Sequence, residues 1–235
     1  MGMWSFLRVA PRRLRGFLFR LALLAALLAP ASGLAAPPAA SGPIHSAITV
    51  VSDDNYPPYI FRDAEGQLQG LLVDEWRLWE ERTGVSAALV GMDWGKAQEF
   101  LLAGKADVID TIFATPARVP FYDFTAPYAR IEVQVFARQD LGGIADLASL
   151  RGFVVGVKAG DACIAQLNAG GASLHEYESY EAIIRAARRG EVHVFCMDKP
   201  PALYYLYKLG MERQYRLCFS LGSGEIGRAS CRERV

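Results

Sequence analysis

Several apolar runs of the sequence end in side chains that can recognise a small polar molecule. Asp53 follows the run that begins at Ala47, Asp110 lies in a later run and Asp198 ends another. Arg118 is a single guanidinium among the prolines and aromatics of "FATPARVPFYDFTAPY". Charged groups placed where strands end are suited to hold a ligand by hydrogen bonds and ion pairs. The residue types therefore predict recognition rather than covalent chemistry.

The candidate recognition set also contains hydroxyl and aromatic side chains. Its members at predicted strand ends and nearby loops are Asp53, Tyr56, Trp94, Asp110, Thr111, Arg118, Asp161 and Asp198. Nucleophilic catalysis is not indicated, because the G-x-S-x-G motif is absent and the histidines are isolated. "GVKAGDAC" has glycines before a helix but lacks the phosphate-loop motif, and its aspartate repels phosphate. No metal or other cofactor is predicted.

Strands and helices alternate along the chain that must position these groups. "AITVVSDD", "VSAALVG" and "ADVIDTIF" predict strands, whereas "GLLVDEWRLWEERTG" and "WGKAQEFLLAG" predict helices that stop at glycines. After an extended run from Arg130 to Asp140, a second series starts with "FVVGVKAG" and closes with "EVHVFCMD". This order predicts an α/β fold whose sheets are mainly parallel and flanked by helices.

The two series resemble each other and predict two lobes. The first lobe is expected over residues 48–130, the interlobe crossover over 131–140 and the second lobe over 141–224. Ligands of open α/β sheets bind beyond the carboxyl ends of the strands. Two facing lobes would place Asp53, Asp110, Lys158 and Asp198 across one cleft.

The first 35 residues have the pattern of a secretory signal peptide. Five arginines precede an uninterrupted apolar run from Leu21 to Ala29, and small residues lead to a cleavage site expected after Ala35. The alternative is a membrane anchor, which requires ~20 apolar residues, but Arg20 and Pro30 bound a shorter run. Residues 36–47 are a Pro/Ala/Ser linker. Export to the periplasm is therefore predicted.

The last eleven residues, "EIGRASCRERV", resemble the in-frame translation of a common sequencing adapter. Residues 225–235 are therefore expected to be non-native, with the native sequence interrupted near Gly224. Leaving out both terminal segments lowers the balance from 25 basic and 25 acidic residues to 17 basic and 23 acidic ones. This mildly acidic segment does not favour nucleic acid or an anionic membrane surface as a partner.

Four segments, taken in order, resemble the type II periplasmic solute-binding proteins. They are "DDNYPPYIF", "ATPARVPFYDFTAPY", "LASLRGFVVGVKAGDA" and "GEVHVFCMD", within a similarity that runs from about Ile48 to Leu221. The polar amino-acid receptors, family 3 of the bacterial extracellular solute-binding proteins, are the group most like this chain. "KAGDACI" and "VFCMDKPPALYYLYK" look like the variant found at the N-terminus of membrane sensor proteins. The resemblance implies that fold, with the return of the chain to lobe 1 truncated by the last segment.

The resemblance also implies roles for individual residues. Arg118 is expected to bind the α-carboxylate of an amino-acid ligand, assisted by the hydroxyl of Thr111. Asp198 is expected to accept hydrogen bonds from the α-ammonium group. Tyr56 and Trp94 are expected to enclose the ligand side chain.

Asp53 is expected near the polar end of the ligand side chain.

Two positions depart from the family pattern. Asp161 stands where these receptors usually have serine or threonine, and Phe113 replaces a small residue near the ligand. Two carboxylates on one lobe favour a cationic or amine-bearing ligand. A plain α-amino acid held by the usual full set of contacts is therefore in question.

Structural roles compete with binding at three of these positions. Asp161 is a suitable N-cap for "ACIAQLNAG", and Trp94 is suited to a core position at a helix start. Arg118 is able to form a surface ion pair with Asp123, a contact that contributes under ~1 kcal/mol.

Cys163 and Cys196 lie two residues from Asp161 and Asp198, respectively. If both aspartates face the cleft, the two cysteines come close enough for a disulfide bond, which export permits. This pairing is a hypothesis, since Cys218 leaves an odd thiol in the segment before Gly224.

Three functions are compatible with the sequence. The first is the sensory input of a membrane signalling protein, in which closure on a ligand acts on a membrane-attached output. The second is a soluble receptor that delivers an amino acid to an ABC-type permease. The third is an exported dehydratase-like enzyme on the same fold, which requires a general base that no residue clearly supplies.

Overall fold

The computed structural model describes residues 46–232. The predicted signal peptide and most of the predicted linker lie outside these residues. The described helices are α1 (Leu71–Thr83), α2 (Trp94–Leu102), α3 (Cys163–Ala169), α4 (Tyr180–Arg188) and α5 (Lys199–Lys208). The strands are β1 (Ala47–Asp53), β2 (Asn55–Tyr56), β3 (Ile60–Arg62), β4 (Leu68–Gln69), β5 (Ser86–Met92), β6 (Val108–Phe113), β7 (Tyr122–Phe124), β8 (Ala129–Arg138), β9 (Val154–Lys158), β10 (Ser173–Tyr177), β11 (Val194–Asp198) and β12 (Tyr215–Cys231).

The predicted parallel pairing is present in both lobes. In lobe 1, β1 lies between β5 and β6 and is parallel to both. In lobe 2, β9 is parallel to β10 and β11. Because parallel strands share one direction, β1 and β6 end on the same side of lobe 1, and β9 and β11 end together in lobe 2.

Two long antiparallel strands join these parallel groups into one sheet. The strand order is β10, β9, β11, β8, β12, β6, β1, β5, with β7 paired to β12. The predicted crossover is most of β8, which pairs with β12 along Ala129–Arg138 and with β11 at Val133–Ala137. The interlobe connection is thus a paired strand of the sheet.

The chain returns to lobe 1 through β12 within the described residues, while the predicted truncation of that return stays a prediction. Beyond Gly224, β12 continues to Cys231 and pairs with β6 through Ile226, Gly227 and Ala229. Ile226 and Ala229 are fully buried. A β-ladder uses backbone groups that any sequence supplies, so composition alone does not reveal such a strand. The resemblance of residues 225–235 to an adapter is a separate matter and stays a prediction.

Helix α1 follows its sequence pattern closely. Leu72, Val73 and Trp76 are buried and Trp79 is half-buried. Gly84 ends the helix in the left-handed conformation at φ 71°. Within residues 46–232, no helix combines the length and apolar character that crossing a membrane requires.

Gly70, immediately before α1, has a conformation and surroundings that exclude a larger residue. Its φ is +118°, and a Cβ atom there would lie 2.5 Å from the Tyr59 carbonyl oxygen and 2.8 Å from that of Pro58. These carbonyls belong to the loop between β2, which carries Tyr56, and β3. The close approach of Gly70 therefore supports the position of that loop.

Replacing Gly70 with alanine is expected to lower the free energy of unfolding by about 2 kcal/mol or more, because strain and a backbone clash add. Gly66→Ala is the matched control, since Gly66 has φ +80° but no atom within 4 Å of the added Cβ. That control is expected to cost about 1 kcal/mol. Urea unfolding of both variants measures the difference, and equal losses would contradict the proposed clash.

Candidate functional site

The carboxyl ends of the strands bring most of the candidate residues to one small cavity between the lobes. Lobe 1 supplies Asp53, Tyr56, Trp94, Thr111, Phe113 and Arg118 to its lining. Lobe 2 supplies Lys158, Asp161, Ala162, Tyr180 and Asp198. The cavity has a volume of ≈ 10 Å³, about the least that holds one water molecule. The lobes are therefore in close contact here, and binding a ligand requires them to move apart.

Arg118 is buried at the lobe interface and is not a surface charge. It is 8% exposed, and its guanidinium donates to the Phe113 carbonyl oxygen at 3.3 Å and to that of Gly160 at 3.0 Å. The guanidinium carbon lies 5.5 Å from the centre of the Trp94 ring. Burial lowers the pKa of Arg118, and the nearby Asp161 opposes that change. Asp123 instead pairs with Arg232 at 2.7 Å.

Trp94 is packed in the core and also lines the cavity, while its predicted contact with a ligand side chain stays a prediction. It begins α2 and is 5% exposed, packed with the core of lobe 1. Its Nε1 donates to the Gly160 carbonyl oxygen of lobe 2 at 3.1 Å. The ring is therefore a core side chain whose polar edge reaches the interface.

Asp161 accepts a hydrogen bond at the start of α3 and also lines the cavity. Its Oδ1 accepts from the backbone N–H of Cys163 at 3.1 Å, within the first turn of α3. Its Oδ2 accepts from the hydroxyl of Tyr180 at 2.5 Å. Tyr180 was not among the predicted site residues. It begins α4 directly after the N-cap Ser179, a signal that marks the helix start but not the direction of the ring.

Asp198 is held at the end of β11 beside a second tyrosine. Its Oδ2 accepts from the hydroxyl of Tyr56 at 2.6 Å, which links the two lobes. Its Oδ1 is buried and has no hydrogen-bond partner among the described residues. Burial and the negative charge of Asp161 raise the pKa of Asp198 to about 7. A cationic group placed beside it would supply the missing donor and favour the ionised carboxylate.

Lys158 and Asp53 form an ion pair across the lobe interface. The lysine Nζ donates to Asp53 Oδ2, and the two side chains are 3% and 1% exposed. Burial raises the pKa of Asp53, while Lys158 opposes that change. The sequence predicted that Lys158 lies at the cleft but indicated no role for its side chain.

Asp110 and Thr111 are neighbours in the chain but differ in their position relative to the cavity. Asp110 does not line the cavity, because its carboxylate accepts from Trp76 Nε1 and from the Tyr128 hydroxyl, both at 2.7 Å. The predicted contact of Asp110 with a ligand stays a prediction, and its carboxylate already has partners within the protein. Thr111 lines the cavity with φ 61°, an unusual value for a β-branched residue and one that clusters at functional sites.

A larger groove adjoins the small cavity. Its volume is ≈ 800 Å³, and Arg118 and Asp161 belong to both linings. Phe113, Pro116 and Ile164 contribute to its apolar surface. No group of three or more histidine, cysteine, aspartate or glutamate side chains in residues 46–232 is arranged to hold a metal ion.

The comparisons with known proteins agree with this geometry. Residues 48–186 match the family model of the bacterial extracellular solute-binding proteins, family 3. The chain is 26% identical over 155 residues to the L-cystine-binding protein TcyJ of Escherichia coli, covering 64% of this chain and 58% of that protein. It is 27% identical over 123 residues to the virulence sensor protein BvgS of Bordetella pertussis, covering 51% of this chain and 10% of that protein. The chain thus spans about three fifths of the first relative and a tenth of the second.

Solved structures match over four fifths of the chain. A histidine kinase sensor domain with similarity to periplasmic binding proteins has a TM-score of 0.74 at 24% identity, covering 80% of this chain and 83% of that one. The holo arginine-binding protein of T. maritima has a TM-score of 0.71 at 22% identity, with the same coverage of both chains. At these identities the likeness establishes the two-lobed periplasmic-binding-protein fold.

Proposed function

We propose that this chain, which belongs to the bacterial extracellular solute-binding proteins of family 3, binds a small amino-acid-like ligand between its two lobes. One observation carries the proposal: the guanidinium of Arg118 and the carboxylate of Asp198 line the same cavity from opposite lobes. An amino acid carries a carboxylate and an ammonium group, so it complements both charges at once.

Each charged group of the ligand has a natural partner in this arrangement. Arg118 binds the α-carboxylate through its planar donors. Asp198 accepts from the α-ammonium with the oxygen that has no partner among the described residues. Asp161 lies close enough to raise the pKa of Asp198 and adds a second negative charge for the ammonium. This pair of acids supports an amine-bearing ligand.

A sensory role is the use of this binding that we favour. Relatives of the chain include a virulence sensor protein and, by structure, a histidine kinase sensor domain. Shifting a two-state switch from 1:99 to 99:1 takes ~5.5 kcal/mol of differential binding, and a micromolar ligand supplies about 8 kcal/mol in total. Closure on a ligand in the periplasm can therefore drive a membrane-attached output if most of this binding energy comes from contacts made only in the closed form.

The alternative use is delivery of the ligand to an ABC-type permease of the inner membrane. The similarity to an L-cystine-binding protein supports this alternative. Genomic sequence downstream of this region distinguishes the two uses. A transmembrane helix in the same reading frame supports the sensor, whereas a separate receptor gene beside a permease gene supports the importer.

A thermal-shift screen of amino acids, polyamines and small carboxylic acids tests the binding proposal. At least one amino acid is expected to raise the melting temperature, because ligand bound only to the folded protein stabilises it. Polyamines lack the carboxylate for Arg118 and small acids lack the ammonium for Asp198, so weaker shifts are expected from both. A screen in which no amino acid shifts the melting temperature would contradict the proposal. Turnover of a hydroxy acid would instead support the dehydratase-like alternative.

We also propose that Cys163 and Cys196 form a disulfide under oxidising conditions. Both thiols are buried, and a hydrogen bond between them raises the pKa of Cys163. Mass spectrometry of the oxidised protein is expected to find a peptide that links the two residues. Detection of both as free thiols after oxidation would dismiss the pairing.

A further inference from the structure

The ammonium group of Lys158 lies inside an enclosure made of aromatic rings and one carboxylate. Its Nζ is 3.8 Å from the centre of the Tyr180 ring, 5.3 Å from that of Tyr56 and 5.8 Å from that of Trp94. It also donates to Asp53. We call these four partners, Asp53, Tyr56, Trp94 and Tyr180, the cation enclosure.

The cation enclosure has the chemistry of a receptor for an organic cation. Ring faces carry negative charge density that attracts an ammonium or guanidinium group within about 6 Å. A buried carboxylate adds an ion pair, which is stable only if its partner is well placed. Here the cation comes from β9 of lobe 2, whereas Asp53 and Trp94 come from lobe 1. The chain itself thus provides the group that such an enclosure binds.

We propose that Lys158 is a specificity-determining residue that fills the cation subsite of the ligand cleft, so that the domain selects amino acids with uncharged side chains and rejects cationic ones. This inference rests on the proposed function, because it names the class of amino acid that the same cleft accepts. Lys158 acts through exclusion and makes no chemical change in the ligand.

Electrostatics disfavours a second cation at this position. Placing a ligand guanidinium or ammonium beside Lys158 would bring like charges together where little water screens them, which weakens binding of a cationic ligand. Moving Lys158 away would separate it from Asp53 and leave the lysine charge unpaired at a buried site.

An uncharged side chain of the ligand has another space to occupy, the larger groove beside the cavity. The groove of ≈ 800 Å³ begins at Arg118 and Asp161, the groups proposed to meet the ligand's charged atoms. Phe113, Pro116 and Ile164 give it an apolar lining. A ligand anchored at Arg118 is therefore able to direct an apolar side chain into the groove and away from Lys158.

The test compares the wild-type protein with Lys158→Ala, which removes the ammonium group and the methylene chain that fill the cation enclosure. L-leucine, L-arginine and n-butylammonium are the probes, and melting temperature and calorimetric titration are the measurements. Wild type is expected to respond to L-leucine alone. Lys158→Ala is expected to bind L-arginine and n-butylammonium at least tenfold more tightly than wild type does.

Combining Asp53→Asn with Lys158→Ala provides the matched control. This double variant removes the carboxylate that pairs with the cation, so its responses to both cations are expected to disappear. It is also electrically neutral at the subsite, so its unfolding in urea serves as the folding control. If Lys158→Ala alone does not fold, recovery of the folded state when n-butylammonium is added during refolding supports the inference.

Failure of this inference is distinguishable from failure of the proposed function. Equal responses of wild type and Lys158→Ala to n-butylammonium and L-arginine would overturn the inference and leave amino-acid binding intact. A response of Lys158→Ala to n-butylammonium without any amino-acid response in wild type would instead overturn the proposed function. No rescue of an unfolded Lys158→Ala, beside a folded double variant, would also overturn the inference.

Discussion

Replacing Arg118 with alanine is expected to weaken binding of any carboxylate-bearing ligand by about a hundredfold or more. Each hydrogen bond to a charged group contributes about 1.5–3 kcal/mol, and a bidentate pair contributes two of them. The loss applies to the carboxylate alone, so a ligand that is only an amine is expected to lose little. Calorimetric titration of the hit from the amino-acid screen measures the change.

The Arg118→Ala experiment needs two controls because the side chain also links the lobes. Arg118 donates to the Gly160 carbonyl oxygen across the interface, so unfolding of the unliganded variant must be measured in parallel. Arg77→Ala is the matched surface control, since Arg77 is 67% exposed and forms an ion pair with the exposed Asp74 on α1. Unchanged affinity in Arg118→Ala would rule out the carboxylate role.

Replacing Asp198 with asparagine is expected to weaken amino-acid binding by about a hundredfold, because a neutral amide loses the charge-assisted bond to the ammonium group. Asparagine keeps the shape of the side chain and an oxygen that accepts from the hydroxyl of Tyr56. The variant should therefore fold. Titration at pH 8, where wild-type Asp198 is ionised, gives the full difference.

Wild-type affinity is expected to fall as the pH drops below 7. Protonation of Asp198, whose pKa is about 7, removes the charge that the ammonium needs, and the limit for one proton is tenfold per pH unit. The groups that face Asp198 are Asp161, Tyr56, Lys158 and Tyr180. Asp198→Asn should lack most of this dependence between pH 5 and 8 (about three units around the pKa). The same slope in both proteins would assign the titration to another group.

The unliganded protein is expected to show the opposite trend in stability. Because folding raises the pKa of Asp198 above its unfolded value, the folded state holds a proton that the unfolded state releases between about pH 4 and 7. The contribution of Asp198 to the free energy of unfolding therefore falls as the pH rises through that interval. Asp198→Asn removes this contribution. Urea unfolding of both proteins at several pH values measures the difference.

Local sequence patterns were sufficient to predict most elements of the fold. Helical periodicity with a terminal glycine identified α1, and β-branched runs identified β1, β6 and β11. The short strands β2, β3, β4 and β7 and the strands β10 and β12 were missed. Their pairing partners, rather than a strong period of their own, make them strands. The polar ends of the predicted strands then located the cleft, because parallel strands end on one side of their sheet.

The sequence by itself determined the fold class and most of the residues that line the cavity. Only the tertiary structure decided which of these side chains already have a hydrogen-bond or ion-pair partner within the protein. In that structure the Asp110 carboxylate accepts hydrogen bonds from Trp76 and Tyr128, and Asp53 forms an ion pair with Lys158. Helix and strand patterns arise from neighbours within a few positions, whereas the Lys158–Asp53 contact joins residues 105 positions apart. Such a contact exists only when two lobes pack together, so spacing along one chain does not contain it.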